Sequence, residues 1–139
     1  MADRFDLTGK VAVVTGGSRG MGLEMCKAFA TAGARVIVAS RKEAACVAVA
    51  KDIQAESGQE CHGFGYHAGD WDASDRLAEF AYEKFGKVDI LVNNAGMSPL
   101  YDKLTNVTEA LYEKILQVNL RGPFRLSTLI GERMAAGDG

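Results

Sequence analysis

The stretch Thr15-Gly16-Gly17-Ser18-Arg19-Gly20-Met21-Gly22 predicts the fold of this chain. An apolar run at residues 10–14 precedes it, and residues 23–32 have the apolar periodicity of a helix. A glycine-rich turn therefore joins a strand to a helix. Glycine lets the backbone turn tightly and approach a ligand, and the free N–H groups that open a helix attract negative charge. The stretch predicts a site for the diphosphate of a dinucleotide.

Composition limits the class of protein. The 139 residues suffice for one domain with a core, 47% are hydrophobic, and two prolines leave little room for disorder. A formal charge of −2 with scattered basic residues disfavours a nucleic-acid or acidic-membrane partner. The start of the chain is unlike a signal peptide, and no run approaches the ~20 apolar residues of a membrane span. We expect a soluble, cytoplasmic protein.

The cysteines and histidines predict no metal site. Cys26, Cys46 and Cys61 are odd in number and form no Cys-x-x-Cys motif, so we expect small core residues and no disulfide framework. His62 and His67 are five positions apart and point to opposite faces of an extended strand, so they cannot share a metal ion.

Short β-branched runs alternate with helical patterns along the chain. We predict strands at Val11–Thr15, Arg35–Ser40, His62–His67 and Ile90–Asn93. Helices are predicted near residues 21–32, 42–56, 74–85 and 109–135. This alternation indicates parallel βαβ units and an α/β fold. The apolar run Ile90–Val92 is typical of a strand that helices cover on both faces.

Two helices carry apolar stripes. The third predicted helix has its stripe at Leu77, Phe80, Ala81 and Phe85, followed by Gly86 as a C-cap, and core packing explains it. The last one has a stripe at Leu126, Leu129, Ile130 and Arg133. That stripe faces either the sheet or a second subunit, and we favour the sheet for part of it.

A second glycine pattern shows how weak such a motif is by itself. Residues 63–68, Gly-Phe-Gly-Tyr-His-Ala, also satisfy the loose Gly-x-Gly-x-x-Gly/Ala rule. They fall in the predicted third strand and open no helix, so we do not assign them to phosphate binding. The chain has no Gly-Lys-Ser/Thr, which excludes the nucleoside-triphosphate P-loop.

Two motifs together resemble the short-chain dehydrogenase/reductase family. They are Thr15-Gly16-x-x-x-Gly20-x-Gly22 and, after the fourth strand, Asn93-Asn94-Ala95-Gly96. The resemblance runs from Leu7 to the helix that carries Asn119. It implies a Rossmann-type doubly wound parallel sheet, truncated here after four βα units, that binds NAD or NADP.

The resemblance also implies which residues contact the cofactor. In the glycine loop these are Gly16, Ser18, Arg19, Gly20 and Met21. On the nicotinamide-ribose side they are Asn93, Ala95 and Gly96. The amide of Asn94 has an alternative structural role, in which it ties neighbouring loop backbones together.

The end of the second strand favours NADP(H), with NAD as the alternative. A carboxylate there would accept hydrogen bonds from the adenosine ribose. This chain has Ser40, followed by Arg41 and Lys42, and Arg19 stands in the glycine loop. These cations suit a 2′-phosphate. Alternatively, Arg41 and Lys42 are solvated charges at the start of a helix.

Asp70 and Trp71 are predicted to end the third strand. The resemblance implies that Asp70 accepts a hydrogen bond from the adenine amino group and that Trp71 covers the adenine pocket. Asp70 could instead cap the next helix, but we expect Asp72 or Ser74 to fill that role.

Asn119 corresponds by resemblance to the asparagine of the family's catalytic tetrad. Pro123 lies four positions later and cannot donate to the Asn119 carbonyl, so the helix should kink there. The freed carbonyl can then hold a water, which the family mechanism uses in a proton relay. The alternative is that Pro123 marks only a bend and that Asn119 is hydrogen-bonded to solvent.

The family's Tyr-x-x-x-Lys and catalytic serine are missing. No tyrosine of the chain has a lysine four positions later, and the chain ends at Gly137–Gly139, where we expect a fifth strand to begin. We interpret residues 1–139 as the cofactor-binding part of an NADP(H)-dependent oxidoreductase that interconverts a secondary alcohol and a ketone. The alternative is a non-catalytic dinucleotide-binding module. By resemblance we expect a small carbonyl or alcohol substrate and a homo-oligomer.

Overall fold

The computed structural model describes residues 3–137, so the two residues at each end of the chain lie outside it. Its strands are β1 Val11–Thr15, β2 Arg35–Ser40, β3 Cys61–Gly65 and β4 Ile90–Val92. Its helices are α1 Gly20–Thr31, α2 Glu43–Ser57, α3 Trp71–Phe85, α4 Glu109–Leu116 and α5 Gly122–Ala136. A 3-10 turn, Leu104–Asn106, precedes α4, and a π-helical segment, Gln117–Arg121, joins α4 to α5.

The four strands form one parallel sheet in the order β3-β2-β1-β4. Val13 in β1 lies opposite Ile37 in β2 and Leu91 in β4. The chain adds strands first on one side of β1 and then on the other, which opens a crevice at the carboxyl ends of β1 and β4. The predicted Rossmann-type doubly wound parallel sheet is confirmed.

A hydrophobic core lies on each face of the sheet. One face packs against α3 and α5 through residues that include Leu77, Leu126 and Ile130, all fully buried. This confirms the prediction that part of the α5 stripe faces the sheet. The other face packs against α1 and α2, and Cys26, Cys46 and Cys61 are buried there as predicted.

The third strand differs from its predicted bounds. It ends at Gly65, two residues before the predicted end, and α3 already begins at Trp71. Asp70 is the N-cap of α3 and accepts a hydrogen bond from the Asp72 N–H at 3.1 Å. The prediction that Asp70 and Trp71 end the strand was therefore wrong, as was the preference for Asp72 or Ser74 as the cap.

The fourth strand is only half-buried. Within the described residues β4 pairs with β1 alone, so one of its edges has no neighbouring strand. Its side chains nonetheless pack on both faces, Leu91 against the core with α3 and α5 and Val92 against the core with α1 and α2, as predicted. The half-burial comes from the unpaired edge.

The predicted long helix at residues 109–135 is interrupted. The five-residue π-helical segment separates α4 from α5, and the Gly122 N–H donates to the Gln117 carbonyl, five positions back. Pro123 has no N–H for the α-helical pattern, which explains the interruption at this point. The predicted break next to Asn119 is present as a π turn.

In the part of the chain that the structure describes, no helix is long and apolar enough to span a bilayer.

Candidate functional site

A cleft of about 700 Å³ lies at the carboxyl ends of the strands. Five segments form it: the β1–α1 loop with the first residues of α1, the end of β2 with the start of α2, the residues after β3, the residues after β4, and the end of α4 with the π-helical segment. Nine of the residues predicted to contact a cofactor line this cleft: Gly16, Ser18, Arg19, Gly20, Met21, Ser40, Arg41, Ala95 and Gly96. Its position is the crevice at which doubly wound sheets bind ligands.

The glycines of the β1–α1 loop are required by its backbone. Gly16 and Gly20 have φ values of +65° and +57°, a region that side chains disfavour. Gly22 has an ordinary φ, but a Cβ there would lie 2.1 Å from the Gly16 carbonyl oxygen. The spacing of the motif thus brings the start of α1 directly against the loop.

The amino end of α1 has no side-chain cap. Arg19 occupies the N-cap position with an extended backbone, and no side-chain oxygen accepts from the first N–H groups of the helix. Its first turn also contains no acidic residue. The free N–H groups and the helix dipole therefore face the cleft as a site for an anion.

Hydrogen bonds join the β1–α1 loop to the segment after β4. The Asn94 side chain donates from Nδ2 to the Gly16 carbonyl at 3.2 Å. The Ala95 N–H donates to Thr15 Oγ1 at 3.0 Å, and that hydroxyl donates to the Val92 carbonyl at 3.3 Å. The structural role considered for Asn94 is thus observed. Hydrogen bonds connect the two sequence motifs, which together form one wall of the cleft.

The part of the cleft at the end of β2 is basic. Arg41 and Lys42 line it at the start of α2, and Arg19 lines it from the β1–α1 loop. None of the described residues that line the cleft is an aspartate or glutamate. Ser40 donates from Oγ to Ser18 Oγ at 2.8 Å, so its hydroxyl holds the β1–α1 loop to the end of β2.

Three residues of the predicted site lie elsewhere. Asp70 pairs with Arg76 at 2.9 Å and caps α3. The centre of the Trp71 ring lies 5.3 and 4.8 Å from the guanidinium carbons of Arg121 and Arg125. The structure brings neither Asp70 nor Trp71 into the cleft. Asn93 donates from Nδ2 to Ser127 Oγ at 2.9 Å and also lies outside the lining.

The residues after β3 that do line the cleft are Tyr66, His67 and Ala68. The sequence analysis missed them because it extended β3 through His67. The Tyr66 N–H donates to the Ser40 carbonyl at 2.7 Å. Burial raises the Tyr66 pKa above its ordinary value, and this effect outweighs the opposing hydrogen bond from Ser74. Tyr66 is therefore a poor proton donor.

Lys114 and Val118, one helical turn apart, and Met97 also line the cleft, and the sequence analysis did not assign them to the site. No motif marks Lys114 or Val118, because α4 and the π-helical segment reach the cleft only through tertiary packing. An apolar residue and a lysine one helical turn apart are otherwise ordinary features of an amphipathic helix.

Asn119 holds the segment after β4. Its Oδ1 accepts from the Met97 N–H at 2.8 Å, and its Nδ2 donates to the Met97 carbonyl at 2.7 Å. A Cβ on Gly96 would lie 3.3 Å from the same Oδ1. The side chain of Asn119 therefore has two backbone partners, and its catalytic role stays a prediction.

The chain matches known proteins over nearly its whole length. Residues 10–139 match the family described as short chain dehydrogenase. "Dehydrogenase/reductase SDR family member 4" of Oryctolagus cuniculus is 37% identical over 118 residues, which are 85% of this chain and 45% of that protein.

Two solved structures have the same fold. A metagenomic short-chain oxidoreductase in complex with NADP has a TM-score of 0.88 and 33% identity, over 94% of this chain and 58% of that one. L-sorbose reductase from Gluconobacter frateurii, complexed with NADPH and L-sorbose, has a TM-score of 0.90 and 26% identity, over 95% and 50% of the two chains.

This chain spans about half the length of the relatives that it matches. The family match agrees with the glycine loop, the strand order and the wall built from Asn94 and Ala95. With these features in their expected places, the chain belongs to the short-chain dehydrogenase family.

Proposed function

We propose that the cleft binds NADP(H) and that the protein is an oxidoreductase that interconverts a secondary alcohol and a ketone. The diphosphate would lie on the free N–H groups of α1, and Gly16, Gly20 and Met21 would contact it. The nicotinamide side would face Ala95 and Gly96. The NADP and NADPH held by the two solved relatives support this assignment. The bound nicotinamide would supply the hydride.

The preference for the 2′-phosphate is carried by the charge at the end of β2. Ser40 stands where a carboxylate would select NAD, and Arg41, Lys42 and Arg19 supply positive charge around it. Because a carboxylate is absent from the lining residues that the structure describes, nothing there repels a phosphate.

The test is a pair of fluorescence titrations with NADPH and NADH. We expect NADPH to bind at least ~10-fold more tightly, because charge-assisted hydrogen bonds to phosphate contribute roughly 1.5–3 kcal/mol each. Arg41→Ala should remove most of this preference and leave NADH affinity nearly unchanged. Lys51→Ala removes an exposed cation of α2 outside the cleft and is the matched control.

A preference for NADH that is the same in Arg41→Ala would contradict the assignment to NADP(H). Absence of binding by either nucleotide would contradict the dinucleotide site itself.

A second candidate function is binding without turnover. None of the four tyrosines has a lysine four positions later, and the one that lines the cleft, Tyr66, has a raised pKa. Hydride transfer to a ketone requires an acid for the developing alkoxide. The 139-residue chain should therefore bind NADPH without oxidising it in the presence of ketones, and measured turnover would exclude the second candidate.

Cytoplasmic location and assembly into a homo-oligomer remain predictions for the whole protein.

A further inference from the structure

The strand order indicates where the purine of a bound dinucleotide would lie. The diphosphate site is at β1, the residues proposed to hold the adenosine ribose phosphate are at the end of β2, and β3 lies next in the sheet. The base would therefore lie against the residues after β3 that line the cleft, Tyr66, His67 and Ala68.

The tautomer of His67 follows from its hydrogen bond. The Gly69 N–H donates to His67 Nδ1 at 3.0 Å. A backbone N–H can only donate, so Nδ1 is the acceptor and the ring hydrogen of the neutral side chain is on Nε2. A Cβ on Gly69 would lie 2.9 Å from His67 Cε1, so the ring packs directly over this glycine. His67 thus offers the cleft a hydrogen-bond donor.

Among the described residues that line the cleft with His67, none carries a carboxylate. Lys114, which lines the cleft from α4, is a donor only. Val118, on the next turn, would lie 3.4 Å from a Cβ on Gly69 and gives the base an apolar surface. The nearest acid along the chain, Asp70, is held by Arg76 and by the Asp72 N–H.

This pattern of donors bears on the choice of purine. Adenine carries an amino group at position 6, which donates, whereas hypoxanthine and guanine carry a carbonyl oxygen there, which accepts. A carboxylate in the site would therefore favour the amino group of adenine. A donating imidazole favours the carbonyl, and it can still donate to a ring nitrogen of adenine.

Resting on the proposed binding of NADP(H), we propose that His67 sets the purine specificity of this site. Through its Nε2–H the site accepts a 6-oxopurine dinucleotide about as well as the adenine one. His67 is in this sense a specificity-determining residue, and its effect is on nucleotide affinity.

The test compares NADPH with its hypoxanthine analogue, reduced nicotinamide hypoxanthine dinucleotide phosphate, by nicotinamide fluorescence. The measured quantity is the ratio of the two dissociation constants. We expect this ratio to lie within about threefold of unity for the unaltered chain, since a single neutral hydrogen bond differs little between the two bases.

Two variants with side chains of equal shape separate the effect of the hydrogen-bond donor from the effect of a smaller side chain. In His67→Asn and His67→Asp the side-chain oxygen can accept from the Gly69 N–H, as in an Asx turn, and His67 is exposed, so both should fold. The asparagine variant keeps a donor and should leave the ratio unchanged. The aspartate variant offers only acceptors and should shift the ratio about tenfold toward adenine.

The same ratio in the unaltered chain, in His67→Asn and in His67→Asp would overturn the inference while NADP(H) binding stands. A shift toward adenine in His67→Asn as large as in His67→Asp would overturn it as well. If neither nucleotide binds any of the three proteins, the proposed function itself fails, and this inference fails with it.

Discussion

Asp89 joins β1 and β4, the two strands whose carboxyl ends border the crevice. Its carboxylate accepts from the Val11 N–H at 2.8 Å and pairs with Lys87 at 3.0 Å and with Lys10 at 4.0 Å. Its own N–H donates to the Val11 carbonyl. One side chain thus fixes the approach of β4 to β1, although it lies at the opposite end of these strands from the cleft.

The ionisation of Asp89 should make stability depend on pH. Partial burial raises its pKa, but the hydrogen bonds from Lys87 and Val11 and the two lysine charges outweigh this, and the pKa lies below its ordinary value. A carboxylate whose pKa is lower in the folded state stabilises the fold above about pH 4, and this contribution is lost as pH falls through the folded pKa.

We therefore expect Asp89→Asn to lower the free energy of unfolding at pH 7 by about 1 kcal/mol. The difference from the unaltered chain should shrink as the pH falls below the ordinary aspartate pKa. Urea denaturation at a series of pH values measures it. Asp52→Asn, at an exposed position of α2, is the control and should show no such difference. A difference that grows toward low pH would contradict the sign of this argument.

At the level of residues, the sequence predicted the β1–α1 loop well and the end of β3 poorly. The loop requires positive φ at Gly16 and Gly20 and the close approach of Gly22. Because glycine meets these conditions best, the positions of the glycines predict the backbone geometry of the loop. The end of β3 has no such requirement. The predicted strand ran two residues too far, and the sequence analysis therefore did not identify Tyr66, His67 and Ala68 as residues that line the cleft.

At the level of elements, α5 is fixed to the loop between β3 and α3 by a glycine. A Cβ on Gly122 would lie 1.9 Å from the Ala68 carbonyl oxygen. Further along, Arg125 forms two hydrogen bonds with Asp75 of α3, at 2.6 and 3.2 Å, and Arg133 pairs with Glu79. The close approach at Gly122 places α5 against a backbone that also lines the cleft.

Gly122→Ala should separate these elements. Because the contact is with backbone, which cannot rotate away, we expect a loss of roughly 1–3 kcal/mol in unfolding free energy and weaker nucleotide binding. Gly131→Ala is the matched control in the same helix, since a Cβ there meets nothing within 4 Å. It should be neutral or stabilising by up to about 1 kcal/mol. Thermal and urea denaturation measure the stability of both variants. Equal losses of stability in Gly122→Ala and Gly131→Ala would refute the packing argument.

Element types were predictable because strand and helix periodicities differ, and the bounds of β1 and β2 were predicted to the residue. The π-helical segment was not predicted. Pro123 indicates a break, but whether the helix kinks or forms a wider turn depends on what holds it. Here Gly122 contacts Ala68 and Asn119 holds Met97, and both contacts are tertiary.

At the level of the whole molecule, the described residues include an unpaired strand edge and exposed apolar side chains. β4 has a free edge, and Leu120 and Phe124 are 63% and 60% exposed on successive turns of the same helical stretch. An unpaired strand edge and exposed apolar side chains both favour association between chains.

We expect the 139-residue chain to associate as its concentration rises. Leu120→Gln combined with Phe124→Gln should reduce the mass observed by sedimentation velocity while the far-ultraviolet circular dichroism stays unchanged. Phe5→Gln, which replaces another exposed aromatic ring outside this surface, is the control. If the double variant sediments like the unaltered chain, this surface is not the site of association.

The π turn between α4 and α5 holds one residue more than an α-helical turn in the same length. It can absorb a surplus amino acid while the helices on both sides keep their faces toward the sheet. Deleting one residue within Gln117–Arg121 would therefore remove the surplus residue and leave the faces of α4 and α5 in phase, although Pro123 would still lack an N–H for the α-helical pattern. The deletion would also rotate the side chain of Asn119 away from Met97, and the segment after β4 would lose these two hydrogen bonds.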